Sequence, residues 1–79
     1  MKKDRSSRIV KNTVKLFEEL RQTKDLSQED LARLSGVTRP AVSHIESGRR
    51  KPSLQMSLKL AEALETRLSD IIRNAEDDS

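Results

Sequence analysis

Cysteine is absent from this chain of 79 residues, as are tryptophan and tyrosine; phenylalanine occurs once, as Phe17, and glycine and proline twice each. Without cysteine there is no disulfide, no thiolate zinc site and no cysteine nucleophile, so stability rests on packing alone. A single aromatic residue and little alternation of β-branched residues leave poor material for strands and point to helices packed through Leu, Ile, Val and Ala. No apolar run exceeds two residues, as at Ile9-Val10, which excludes a membrane span and the apolar segment of a signal peptide. The expectation is therefore a soluble, cytoplasmic chain with no membrane partner. The sole histidine, His44, the lack of a Gly-rich phosphate loop and a length too short to enclose a substrate cavity argue against an enzyme. They also argue against a bound metal or cofactor.

Charged residues make up 37% of the chain and hydrophobic ones 33%, with both signs scattered among short apolar groups, a pattern that argues against disorder. The net charge of +3 is unevenly placed. Lys2, Lys3, Arg5, Arg8, Lys11 and Lys15 face only Asp4 in the first stretch, Arg49-Arg50-Lys51 form a second basic run, and Glu76-Asp77-Asp78 are acidic. Clustering of this kind suits a polyanionic partner. The chain divides into a flexible basic arm over 1–6, one folded domain over 7–74 and an acidic, fraying tail over 75–79. The basic start has two readings, an arm for the minor groove of DNA or a solubilising tail. Lys11 and Lys15 stand equally as the solvated face of the first helix.

Apolar spacing predicts a first helix from Ser7 to Lys24 around Val10, Val14, Phe17 and Leu20. Ser27-Gln28-Glu29-Asp30 reads as a capped helix start, Leu31, Ala32 and Leu34 as that helix's apolar face, and Gly36 as its left-handed end. Thr38 caps a third helix of about nine residues with Pro40 in its first turn, and Gly48 closes it. Pro52-Ser53 opens a fourth helix carrying Leu54, Leu58, Leu60, Ala61 and Leu64 toward the core. A fifth follows around Leu68, Ile71 and Ile72. The fold class is all-α with five helices.

Helices two and three, joined at Gly36-Val37, have the small and apolar positions of a DNA-binding helix-turn-helix: Leu31, Ala32, Gly36, Val37, Val42 and Ile45. Three stretches, Leu26-Ser27-Gln28-Glu29-Asp30-Leu31-Ala32, Ile45-Glu46-Ser47-Gly48-Arg49-Arg50-Lys51-Pro52-Ser53 and Leu58-Lys59-Leu60-Ala61-Glu62-Ala63-Leu64, occur in order. Together they make the chain resemble the Cro and phage-repressor family, or XRE-type regulators, from about Leu16 to Ile72.

At about 100° per residue Ala41, Val42 and Ile45 share one side of helix three, leaving Arg39, Pro40, Ser43, His44 and Ser47 on the other. That outward set is the candidate reading surface. Arg39 suits guanine O6 and N7, Ser43 and His44 suit single contacts, and Thr38 or Pro40 can meet a thymine methyl. Solvated charge is the plain alternative for Arg39 and His44, and helix initiation for Pro40. The resemblance places Arg39, Pro40 and His44 at base-facing positions, although Pro40 replaces the polar residue often found there. Gln28, at a helix start, and Ser47 with Arg49, Arg50 and Lys51 are the candidate phosphate contacts. Glu46 looks misplaced on a helix meant for DNA; the resemblance implies a salt bridge to Arg21.

One departure stands out: where relatives often carry Gly-Val-Ser between helices four and five, this chain has Glu65-Thr66-Arg67. The start of helix five is open as a result, including a short strand in place of a turn. Leu68, Ile71 and Ile72 are the candidate dimer seam, since two reading helices about 34 Å apart bind a palindrome where one reads too few base pairs. The expected function is sequence-specific binding of double-stranded DNA as a homodimer that regulates transcription. The rival is an antitoxin or adaptor whose main partner is a toxin or polymerase, with DNA binding used for autoregulation.

Overall fold

A computed structural model describes residues 4–77, and these form five α-helices with no strand among them. The first helix, α1, spans Arg5–Thr23. It begins two residues before the apolar spacing does because Asp4 caps it. Asp4 Oδ1 accepts the backbone N–H groups of Ser6 and Ser7 at 3.1 and 3.4 Å, and the two hydroxyls donate to its carboxylate at 2.6 and 2.8 Å. The Ser6 hydroxyl, then that of Ser7, pull the exposed Asp4 carboxyl down to about 2. Arg5 and Ser6, assigned above to a flexible arm, therefore belong to the helix. The rest of that arm, residues 1–3, lies outside the described residues.

Helix α2 spans Gln28–Ser35 and opens on a reciprocal box: Ser27 Oγ accepts from the Asp30 N–H at 2.9 Å and Asp30 Oδ2 from the Ser27 N–H at 3.0 Å. It ends at Gly36, whose φ of 77° is a conformation a side chain would strain. Helix α3 follows over Arg39–Glu46, with Thr38 Oγ1 accepting from the Ala41 N–H at 3.3 Å. Helix α4 spans Leu54–Ala63 behind Ser53, and α5 spans Leu68–Asp77. Between them Glu65 takes φ 58°, so a glutamate occupies the left-handed position usually given to glycine. A turn, not a strand, leads into α5.

The tail expected to fray from residue 75 stays helical to Asp77. Ala75 is fully buried, and its carbonyl accepts from Asn12 Nδ2 of α1 at 3.2 Å. Residues 78–79 lie outside the described residues.

The core is centred on Phe17, Leu31, Val42, Ile45, Leu60 and Leu64, extended by Ile71. Helix α1 packs on α5 and α3, α2 on α3 and α4, and α4 on α5. Each large side chain removed from water contributes roughly 1.5–3 kcal/mol. For α3 this decides whether it exists, because eight residues do not hold a helix in water unaided. Val42 and Ile45 anchor it. Leu34, Leu54 and Leu58, expected in the core, are instead 55%, 71% and 52% exposed. The buried line of α4 runs through Ser57, Leu60, Ala61 and Leu64, and the 100° step per residue carries Leu54 and Leu58 off it. Ser57 is accommodated because its hydroxyl donates to the Ser53 carbonyl at 2.9 Å. Among the described residues no helix is long and apolar enough to cross a membrane.

Candidate nucleic-acid interface

Helix α3 has two unlike faces. Ala41, Val42 and Ile45 are buried, while Thr38, Arg39, Pro40 and His44 are exposed and Ser43 is half-buried between them. Arg39 and His44 make no hydrogen bond or ion pair with other described residues, so their polar ends are unengaged. The Thr38 hydroxyl accepts as the helix cap and keeps its proton to donate.

Glu46, at the last turn of this helix, is neutralised from inside the protein. Arg21 of α1 grips it with two bonds, Nε to Oε2 at 2.7 Å and Nη2 to Oε1 at 3.0 Å, and a third donor, Arg21 Nη1, reaches the Leu26 carbonyl at 2.7 Å. Both side chains are largely buried, at 11% and 5% exposure. The hydrogen bonds to Glu46 raise the pKa of Arg21 further, so the pair stays charged across the pH range in which the protein folds. Gln28 Nε2 completes the cluster by donating to Glu46 Oε1 at 2.9 Å. One carboxylate thus ties α1, α2 and α3 together. Gln28, expected only at a phosphate, is therefore also a structural bond; its amide nitrogen retains a second N–H.

The other phosphate candidates sit where α3 ends. Gly48, with φ 85°, turns the chain back on the helix, and the N–H groups of Arg49 and Arg50 both donate to the His44 carbonyl, at 2.9 and 3.1 Å. The turn thereby holds exposed Arg49, Arg50 and Lys51 beside the negative end of the helix dipole. Ser47 is exposed, with its hydroxyl donating to the His44 carbonyl at 3.2 Å. At the opposite end of the unit, the first-turn N–H groups of α2 and the Gln28 side chain share one edge.

The trio read as a dimer seam does not form one patch. Ile71 is 3% exposed and belongs to the core, where it offers nothing to a second chain. Leu68 is half-buried against the core and Ile72 is half-buried. Leu58 and Leu68 instead border a shallow groove of about 580 Å³ between α4 and the start of α5. Periodicity missed this because it counts apolar residues without showing which side of a crowded helix they occupy. Among the described residues no cluster of His, Asp or Glu is arranged to hold a metal.

Residues 17–71 match the helix-turn-helix family model. The chain belongs to the Cro/CI-like, XRE-type helix-turn-helix transcriptional regulators. It is 35% identical over 69 residues to an uncharacterised HTH-type transcriptional regulator of Methanocaldococcus jannaschii, covering 87% of this chain and 100% of the relative. The uncharacterised HTH-type regulator YgzD of Bacillus subtilis is 42% identical over 62 residues, 78% of this chain and 89% of the relative. Among solved structures, the restriction-modification controller protein C.AhdI of Aeromonas hydrophila superposes with a TM-score of 0.72 at 44% identity, covering 80% of this chain and 94% of that one. Helices α2 and α3 are the helix-turn-helix of this regulator. Its activity is DNA-binding regulation of transcription, which is not an enzymatic function.

Proposed function

We propose that this regulator binds a palindromic operator as a homodimer, each copy laying α3 in a major groove. The carrying observation is the division of α3: Val42 and Ile45 lock one face into the core while Arg39, Pro40 and His44 present unengaged groups on the other. Arg39 is the principal base contact, bidentate to a guanine, with Thr38, Pro40, Ser43 and His44 reading neighbouring positions. Arg49, Arg50 and Lys51 grip phosphates at one end of the unit, where Ser47 joins them if its hydroxyl turns from the His44 carbonyl, and Gln28 does so at the other. The internal neutralisation of Glu46 supports this reading, because it removes the repulsion a bare carboxylate would exert on DNA.

The second copy docks through Leu58, Leu68 and Ile72 around the α4–α5 groove. Leucines so exposed favour a protein contact, and a second copy supplies one while doubling the sequence read. The likeness to a restriction-modification controller supports that role over a phage regulator or an antitoxin. A genomic-fragment selection returning promoter DNA of a restriction–modification operon would sustain it.

The deciding experiment is selection of bound duplexes from a randomised pool, with the mass of the protein measured in solution. The expected result is a two-fold symmetric motif with half-sites about one DNA turn, ~34 Å, apart and a particle of two chains. A single unrepeated half-site bound by one chain contradicts the dimer. Retention of another protein with no duplex enriched favours an adaptor for a toxin or polymerase.

A further inference from the structure

A second groove, of about 430 Å³, runs between the first half of α1 and the turn that follows α3. Lys11 and Lys15 line it from α1, and Arg50 and Lys51 from the turn. All four are exposed, and among the described residues none is in an ion pair. Half-buried Val10 and Val14 lie between the two cationic edges. Two carboxylates also line the groove: Glu46, already held by Arg21 and Gln28, and Glu18. The excess of positive charge is therefore local and uncompensated.

The position of this groove matters as much as its charge. It opens at the C-terminal end of α3, where the Arg50 N–H is fixed to the His44 carbonyl. From there α1 runs on toward Arg5, and Arg8, Lys11 and Lys15, spaced i, i+3 and i+7, form one stripe along it. The stretch from Arg5 to Lys15 is roughly 15 Å long, comparable to about four phosphates of one strand at ~3.4 Å of axial rise each. A compact anion would engage only one edge of so open a site; a continuous phosphodiester strand engages both.

We propose that Lys11 and Lys15, facing Arg50 and Lys51 across this groove, grip the sugar–phosphate backbone flanking the half-site, so that α1 extends the DNA contact beyond the bases read by α3. This inference rests on the reading that α3 enters the major groove. The contact is to phosphate alone and strengthens binding without adding sequence preference.

The test compares the wild-type chain with a K11A/K15A double variant on two duplexes carrying the selected site, one trimmed to the palindrome and one extended by ten base pairs on each side. Both lysines are exposed on a helix that tolerates alanine, so the fold is kept. The wild type is expected to bind the extended duplex more tightly, and the variant to lose that advantage. Two lost phosphate contacts lower the slope of log affinity against log salt by about 1.8, on the order of a 50-fold loss near 0.1 M salt. The selected motif stays the same. R73A, on α5 and away from the groove, serves as the charge-matched control and is expected to leave the slope unchanged.

Equal affinity and slope for variant and wild type on the extended duplex overturn the inference while leaving the major-groove reading intact. A wild-type chain that selects no duplex overturns both. Polyglutamate binding that the double variant loses, with DNA binding unaltered, also overturns it and assigns the groove to an acidic protein.

Discussion

The helix-turn-helix and the α4–α5 end are built from the same residue types to different standards of closure. In the former, the box at Ser27, the left-handed Gly36 and the Thr38 cap satisfy the backbone at each end, and apart from Leu34 the large apolar side chains are buried. At the other end a glutamate stands in the left-handed position, and Leu54 and Leu58 point to solvent. The first region is complete within one chain and turns its polar face to a ligand. The second carries apolar surface that a monomer has no use for. The contrast separates a rigid reading head from an assembly surface.

The sharpest challenge to the rigidity of the first region is its buried ion pair. Glu46→Ala leaves Arg21 charged in a largely buried site, and the expected loss is ~3–5 kcal/mol in chemical denaturation. Replacing both partners by apolar residues of similar volume should recover most of it, whereas two independent losses would contradict a coupled pair. The leucines of α4 then test the second region directly. Leu60→Ala, in the core, is expected to cost ~2–5 kcal/mol, while Leu58→Ala costs under ~0.5 kcal/mol in the dilute monomer and weakens self-association. Similar losses of monomer stability at both positions would erase the distinction.

Smaller effects probe the helix ends. Glu65→Gly should stabilise the chain by ~0.5–1 kcal/mol, since glycine adopts a positive φ freely and the Lys24–Glu65 contact at 3.5 Å, mostly exposed, is worth little. An unchanged or lower melting temperature would mean that this contact outweighs the backbone gain. The weakest effect is that of acid on the caps. Asp4 is depressed from 3.8 to about 2, and Asp30 is depressed by the Ser27 N–H and hydroxyl. Groups depressed in the folded state contribute stability above their unfolded values and lose it as pH falls through the folded ones. Amide exchange in the first turn of α1 should therefore quicken between about pH 4 and 2, and Asp4→Asn should blunt that change.

How much of this was legible beforehand follows from the range of each signal. Caps, glycine turns and the Pro40 start act over a few residues, so the bounds of α2 and α3 could be read directly, as could the division of α3 into Val42 and Ile45 against Arg39 and His44. The Arg21–Glu46 pair joins residues far apart in sequence and came only from family resemblance. Asp4 looked like a lone opposing charge because its role depends on the two serines after it. Ala75 was given to the tail, though its spacing of four from Ile71 is a helical signal the acidic neighbours masked. The left-handed Glu65 has no local signature. Nor does the exposure of Leu58, which depends on how α4 is turned against its neighbours.

The central claim is that the outward face of α3 reads bases, and the most direct measurement is the binding motif of Arg39→Ala set beside that of the wild type. Loss of preference at one base pair per half-site, at a cost of ~1–3 kcal/mol on the selected operator, is the expected result. An identical motif with affinity reduced equally on every sequence would reduce Arg39 to a phosphate contact and contradict the account.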